Sequence, residues 1–212
     1  MERKQISNCR IVCFGDSITD AKIMQSNPEY KEDGSGYVSM FKRKVNTFFT
    51  QLNIEIYNRG INGNKTIDLI ARLERDVLSL KPDIVTMLVG INDVWHPHRE
   101  NIVPDFNQIE ENYRELIRRI TNKGIRLVLL TPFLFPFNDF YHSLFPHFLK
   151  VHEMVIRLAE EYQLECIDIY KSMKEIAEVV GNNHVTRDCV HPTILGHGII
   201  AHELEKYFIT LK

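Results

Sequence analysis

Apolar residues along this chain fall into two alternating patterns. Short apolar runs at Arg10–Phe14, Ile54–Tyr57, Asp83–Val89, Ile125–Leu130 and Leu164–Ile169 have the length and Ile/Val content of strands buried on both faces. Between them, apolar positions recur every three to four residues, the spacing of a helix with one buried face. This second pattern predicts helices over Tyr37–Leu52, from Thr66 as a cap through Leu78, and over Asp105–Asn122, Phe145–Tyr162, Ser172–Val180 and Thr193–Leu211. The polar stretch Asp20–Gly36, with Pro28 and two glycines, reads as a long loop. Regular alternation of strand and helix predicts an α/β fold: a three-layer α/β/α sandwich around a five-stranded parallel sheet, flavodoxin-like in style. No repeat, low-complexity tract or linker interrupts the pattern, so residues 1–212 are expected to form one domain.

One segment is compositionally biased. Phe133–Phe148 holds Phe133, Phe135, Phe137, Phe140, Tyr141, Phe145 and Phe148, together with Pro136 and Pro146. It follows the fourth strand, at the edge where ligands bind in parallel sheets. A pocket wall, a lid, a subunit contact and ordinary core packing all fit this pattern.

Composition narrows the class. The 212 residues are 44% hydrophobic and 25% charged, as in an ordinary globular enzyme. With 26 basic and 28 acidic residues the net charge is −2, so no broad basic field is available for nucleic acid or an anionic membrane. No apolar run approaches the ~20 residues of a membrane helix, and Met1–Asn8 is too charged for a secretory leader. A cytoplasmic protein without membrane insertion is the expectation. The four cysteines (Cys9, Cys13, Cys166 and Cys189) form no CxxC pair and read as reduced, buried thiols. His96 and His98 flank a proline, and His197 and His202 are off the spacing that aligns two ligands on a helix. No metal is expected.

Chemistry concentrates where apolar runs end in small polar clusters: Gly15-Asp16-Ser17, Gly60-Ile61-Asn62-Gly63 and Gly90-Ile91-Asn92-Asp93. A parallel sheet brings these ends to one edge. Ser17 offers a hydroxyl that needs a base to act as a nucleophile. Asp188-Cys189-Val190-His191 offers that base, since a carboxylate three residues before a histidine on a tight loop can reach Nδ1 and leave Nε2 for the serine proton. Nucleophile, base, orienting acid and candidate oxyanion donors are the parts of acyl transfer.

Four blocks (Gly15-Asp16-Ser17-Ile18-Thr19-Asp20, Gly60-Ile61-Asn62-Gly63-Asn64, Gly90-Ile91-Asn92-Asp93 and Asp188-Cys189-Val190-His191-Pro192) resemble, in order and spacing, those of the SGNH hydrolases, also called the GDSL esterase/lipase family. Ile18 stands where the name-giving motif has Leu. The resemblance implies that Ser17 attacks an ester, that His191 is the base and Asp188 its partner, and that Ser17, Gly63 and Asn92 form the oxyanion hole, with neither metal nor cofactor. Gly63 would be glycine because its backbone approaches the substrate. Gly36-Tyr37-Val38, the Asn58–Asn64 stretch, Gly90–Trp95 and Thr131-Pro132-Phe133 further resemble intracellular carbohydrate acetylesterases acting on xylo-oligosaccharides. That likeness implies removal of acetyl or other short acyl groups from a small or carbohydrate alcohol by an enzyme able to form homo-oligomers, while the charge and hydropathy leave no nucleic-acid or membrane partner expected. Trp95, Phe133 and Phe135 are the candidate pocket residues. A lysophospholipase or acyl-thioesterase is the rival enzyme class, and a sugar- or lipid-binding module with an idle serine the non-enzyme rival. Asp16, Asp20, Asp93, Arg59, Asn62 and Asn64 read as structural residues of the loops.

Overall fold

The computed structural model describes residues 8–21, 34–48 and 50–210. Its five strands are β1 (Asn8–Gly15), β2 (Asn53–Gly60), β3 (Ile84–Leu88), β4 (Arg126–Leu130) and β5 (Glu165–Ile167). All pair in parallel, in the order β2-β1-β3-β4-β5. The central strands are almost wholly buried, which is why their sequences are continuous apolar runs rather than alternating ones. β2 lies at one edge and exposes part of its length; β5, at the other edge, is short and half-buried.

Chain order reverses at β1, which leaves in one direction for β2 and returns in the other to β3. Right-handed crossovers running in opposite directions deposit their helices on opposite faces. Accordingly α2 (Tyr37–Phe48) packs with α9 (Ile194–Thr210), and α9 with α7 (Ile169–Val180). On the other side α3 (Thr66–Asp76) packs with α5 (Phe106–Thr121), and α5 with α6 (Asp139–Glu161). This is the three-layer α/β/α arrangement expected from the sequence.

Differences from expectation are local. Short α1 (Ser17–Asp20) and α8 (Asn182–Val185), and α4 (Ile91–Arg99), lie in stretches too short or too polar to show helical spacing; α4 even contains Pro97. α6 begins at Asp139 rather than Phe145, because the Asn138 side chain accepts from the Tyr141 N–H at 3.2 Å and caps it. α7 begins at Ile169 rather than Ser172, capped in the same way by Asp168 and Lys171 N–H at 3.0 Å. Of the long loop expected over Asp20–Gly36, residues 22–33 lie outside the described part, as do residues 1–7, 49, 211 and 212. The helix expected over Tyr37–Leu52 ends at Phe48, and β2 runs on beyond Tyr57 to Gly60.

The aromatic segment is divided. Phe133, Phe135 and Phe148 are sealed in the core, while Phe137 and Phe140 remain exposed. Phe135 and Phe148 both pack on Tyr170, with ring centroids 5.4 and 5.0 Å away. Among the described residues no helix is long and apolar enough to cross a membrane.

The end of β3 is held by one buried hydrogen bond. The Tyr113 hydroxyl donates to the Val89 carbonyl at 2.7 Å, immediately before Gly90, whose φ of +117° turns the chain into α4. Tyr113→Phe leaves that carbonyl buried without its donor, so chemical denaturation should show a loss of about 1–3 kcal/mol. An unchanged unfolding midpoint would mean that the bond does not hold the strand end.

Candidate active site

Ser17 follows β1 at the point where strand order reverses, the crevice in which open parallel sheets bind ligands. Asp16 makes this turn: its Oδ1 accepts the Ile18 N–H at 3.0 Å and caps α1. The Ser17 N–H stands in the first turn of that helix, where it has no intrahelical acceptor.

His191 arrives from the other end of the chain. The Ser17 hydroxyl lies 3.0 Å from His191 Nε2, and His191 Nδ1 lies 2.7 Å from Asp188 Oδ2. An ionised carboxylate only accepts hydrogen bonds, so Nδ1 carries the ring proton and Nε2 is left to accept from the serine. Asp188 is itself fixed, its Oδ1 taking the backbone N–H of His191 at 2.7 Å and of Val190 at 3.2 Å. Burial would raise its pKa, but the side-chain and backbone hydrogen bonds of His191 more than offset this and hold it at about 2. The loop is pinned at its base as well. Arg187 N–H donates to the His191 carbonyl at 2.8 Å, and Thr193 N–H to that of Val185 at 3.0 Å.

Cys189, inside this loop, is the buried free thiol the sequence suggested, but its part in shaping the loop was not foreseen. It is wholly buried, has φ +73°, and its carbonyl accepts from Phe135 N–H at 2.9 Å. A left-handed conformation in a residue other than glycine costs on the order of 1 kcal/mol or more and persists only where its surroundings enforce it. The aromatic segment therefore anchors the loop that carries Asp188 and His191. No spacing rule marks such a residue in advance.

Gly63 has φ +78°, and a Cβ placed there would meet nothing within 4 Å. Conformation rather than crowding is what calls for glycine here, and the position faces open space. Among the described residues no acceptor takes the Gly63 N–H. Asn92 is buried in the first turn of α4, with one amide N–H donated to the Asn64 carbonyl at 3.0 Å. Its second N–H is left for the site. Ser17, Gly63 and Asn92 thus follow the ends of β1, β2 and β3, three neighbouring strands whose carboxyl ends share one edge of the sheet.

Asp93 ties α4 to α3. Its carboxylate accepts the Thr66 hydroxyl at 2.6 Å and the Thr66 N–H at 3.1 Å, and Asn112 donates to the same hydroxyl at 2.9 Å. Thr66 is therefore the first residue of α3 rather than its cap, a position taken by Lys65. Burial pushes Asp93 up to about 6 against these hydrogen bonds.

The pocket residues expected from the sequence fare differently. Trp95 lies on α4, partly buried, with the Arg99 guanidinium 5.1 Å from its ring centroid. Phe133 and Phe135 are buried. Their exposures of 0% and 3% place them in the core, because the chain after β4 turns inward beneath the catalytic loop. Among the described residues no group of three or more His, Cys, Asp or Glu side chains could hold a metal ion.

Fold and site define a carboxylic ester hydrolase of the α/β type. Residues 13–199 match the GDSL-like Lipase/Acylhydrolase family, and the chain belongs to that family. It is 30% identical over 202 residues to an acetylxylan esterase of Geobacillus stearothermophilus, covering 91% of this chain and 90% of that protein. A crystal structure of a catalytic mutant of that esterase superposes with a TM-score of 0.83, at 28% identity over 93% of each chain. In three solved variants named as its catalytic mutants a serine, an aspartate and a histidine are replaced by alanine, and the aspartate precedes the histidine by three positions. An alpha/beta hydrolase from the metagenome of Lake Arreo matches with a TM-score of 0.82, at 27% identity over 96% of each chain.

Asp16 generates a prediction about stability. Its carboxyl is wholly buried, one oxygen has no hydrogen-bond partner, and burial pushes it from the ordinary 3.8 up to about 7. The folded chain then keeps this proton after the unfolded chain has lost it. Stability from this group is complete below the ordinary value and is lost as pH rises to about 7. Asp16→Asn keeps an acceptor for Ile18 without the titration, so melting temperatures recorded across this range should fall less with rising pH than those of the parent. An identical slope would show that Asp16 does not titrate there.

Proposed function

We propose that this enzyme hydrolyses esters through an acyl-serine intermediate and removes acetyl or other short acyl groups from a small or carbohydrate alcohol. The observation that carries the reading is the continuous chain from Ser17 through His191 to Asp188, at 3.0 and 2.7 Å, beside the open Gly63 turn and Asn92. His191 takes the proton of Ser17 as Oγ attacks the ester carbonyl, while Asp188 stabilises the imidazolium that forms. The backbone N–H groups of Ser17 and Gly63 and the amide of Asn92 receive the oxyanion. Collapse of the tetrahedral intermediate releases the alcohol, protonated by His191. Water, activated by the same imidazole, then frees the acid and regenerates Ser17.

Two observations support a short acyl group and an acetylated sugar. Phe133, Phe135 and Phe148 are packed in the core, so they supply no aromatic groove for a long chain. The similar protein of Geobacillus stearothermophilus is named an acetylxylan esterase.

A p-nitrophenyl ester series from acetate to palmitate, with Ser17→Ala as the blank, tests the reading. Acetate should be hydrolysed fastest and the variant should be inactive; acetylated xylo-oligosaccharides would then be the next substrates to assay. Rates that climb with chain length would overturn the short-acyl specificity, and turnover by Ser17→Ala would overturn the nucleophile. Asn92→Ala should lower kcat by about 10²–10³ with little change in KM, since the oxyanion forms only after binding. A rise in KM at constant kcat would make Asn92 a substrate-binding group instead.

A further inference from the structure

Arg72 is a buried charge on the inner face of α3, between Leu69 and Leu73, with 6% of its surface exposed. A guanidinium is almost never buried without partners, and this one is used on every side. Nη2 donates to the Gly15 carbonyl at 2.8 Å, two residues before Ser17. Nη1 donates to the Arg59 carbonyl at 3.0 Å and to Asp76 at 3.0 Å. Nε donates to the Asn64 side-chain oxygen at 2.6 Å. The plane of the group lies over the Phe14 ring, 4.4 Å from its centroid. One planar fork thereby joins the end of β1, the end of β2 and the turn that carries Gly63.

The last of these bonds reaches the reaction. Asn64 follows Gly63, and its backbone carbonyl accepts the Asn92 amide at 3.0 Å. Arg72 holds Asn64 by its side chain, and Asn64 in turn orients Asn92 by its main chain. We infer that Arg72 is a positioning residue for the oxyanion hole, setting the Gly63 N–H and the Asn92 amide relative to Ser17 through Asn64 without touching the substrate. This rests on the serine-esterase reading above and deepens it. Lysine could not replace it, because a single ammonium cannot reach two strand ends and the Asn64 turn in one plane.

The test uses Arg72→Lys, Asn64→Ala and the double variant, with Ser17→Ala in parallel. Asn64→Ala cuts the Nε bond alone and leaves those to Gly15, Arg59 and Asp76 in place. Misplaced donors act on the transition state, so each single variant should lose about ten- to a hundredfold in kcat while KM stays within about twofold. The double variant should be no slower than Arg72→Lys, since both substitutions break one chain of contacts. The pH profile of kcat/KM should keep its shape, because the Ser17–His191–Asp188 contacts are untouched. Folded variants with parental kcat, a loss confined to KM, or losses that multiply in the double variant would each overturn the inference. Should Arg72→Lys not fold, an unchanged kcat in folded Asn64→Ala overturns it alone. Turnover by Ser17→Ala is a separate result, one that removes the serine-esterase reading itself.

Discussion

Parallel strands cannot be joined by tight hairpins, so each must be followed by a crossover that carries the chain back across a face of the sheet. All carboxyl ends then lie along one edge. Here the order reverses at β1, and the helices after β1 and β2 leave to opposite faces, opening a crevice between them. Ser17 sits at that crevice, one turn beyond β1, and Gly63 and Asn92 reach it from the ends of its two neighbours β2 and β3. The arrangement of the donors is thus a consequence of strand order before any side chain is considered.

Loops at such an edge need polar anchors, and those anchors must be satisfied once buried. Arg72 answers three demands with one group, Asp93 fastens α4 to the first residue of α3, and Tyr113 closes the end of β3. α3 is common to the first two, and Asn112 on α5 adds to the second. Asn92 stands on α4, and the turn that carries Gly63 is tied through Asn64 to Arg72 on α3. Asp16 is the exception. It caps α1 with one oxygen and leaves the other buried and unpaired, and it avoids the cost of a buried charge by holding its proton to higher pH.

His191 is delivered by different means. Arg187–Pro192 is a loop closed on itself, with Asp188 accepting from two backbone N–H groups and from the imidazole. Its strained point, Cys189, lies beneath it, against the turn that leads from β4 into α6. The phenylalanines after β4 accordingly serve the site from below: they fill the core under the loop that carries His191, and the chain there donates a hydrogen bond to it.

Most of the architecture was legible in the chain. Apolar runs marked all five strands and spaced apolar positions marked the long helices, because both patterns report burial that is set locally by the period of each element. The four motif blocks pointed to Ser17, Gly63, Asn92, Asp188 and His191, and the folded chain brings Ser17, His191 and Asp188 into one run of hydrogen bonds. Helix starts at Asp139 and Ile169 were less legible, since Asn138 and Asp168 cap through side chains within polar surroundings. Arg72 did leave a trace, as a charge between Leu69 and Leu73 on an otherwise apolar helix face. What it binds was not written there, for Gly15, Arg59 and Asn64 are brought to it only by strand pairing and the packing of α3. The same holds for Phe133 and Phe135. Sequence set them at the active edge, but only the path of the chain after β4 decided whether they face a substrate or the core, and that path depends on contacts with Tyr170 and Cys189 far along the chain. Local periodicity determines which elements form and which residue types meet at their ends; the direction of each side chain is decided by partners that sequence distance conceals.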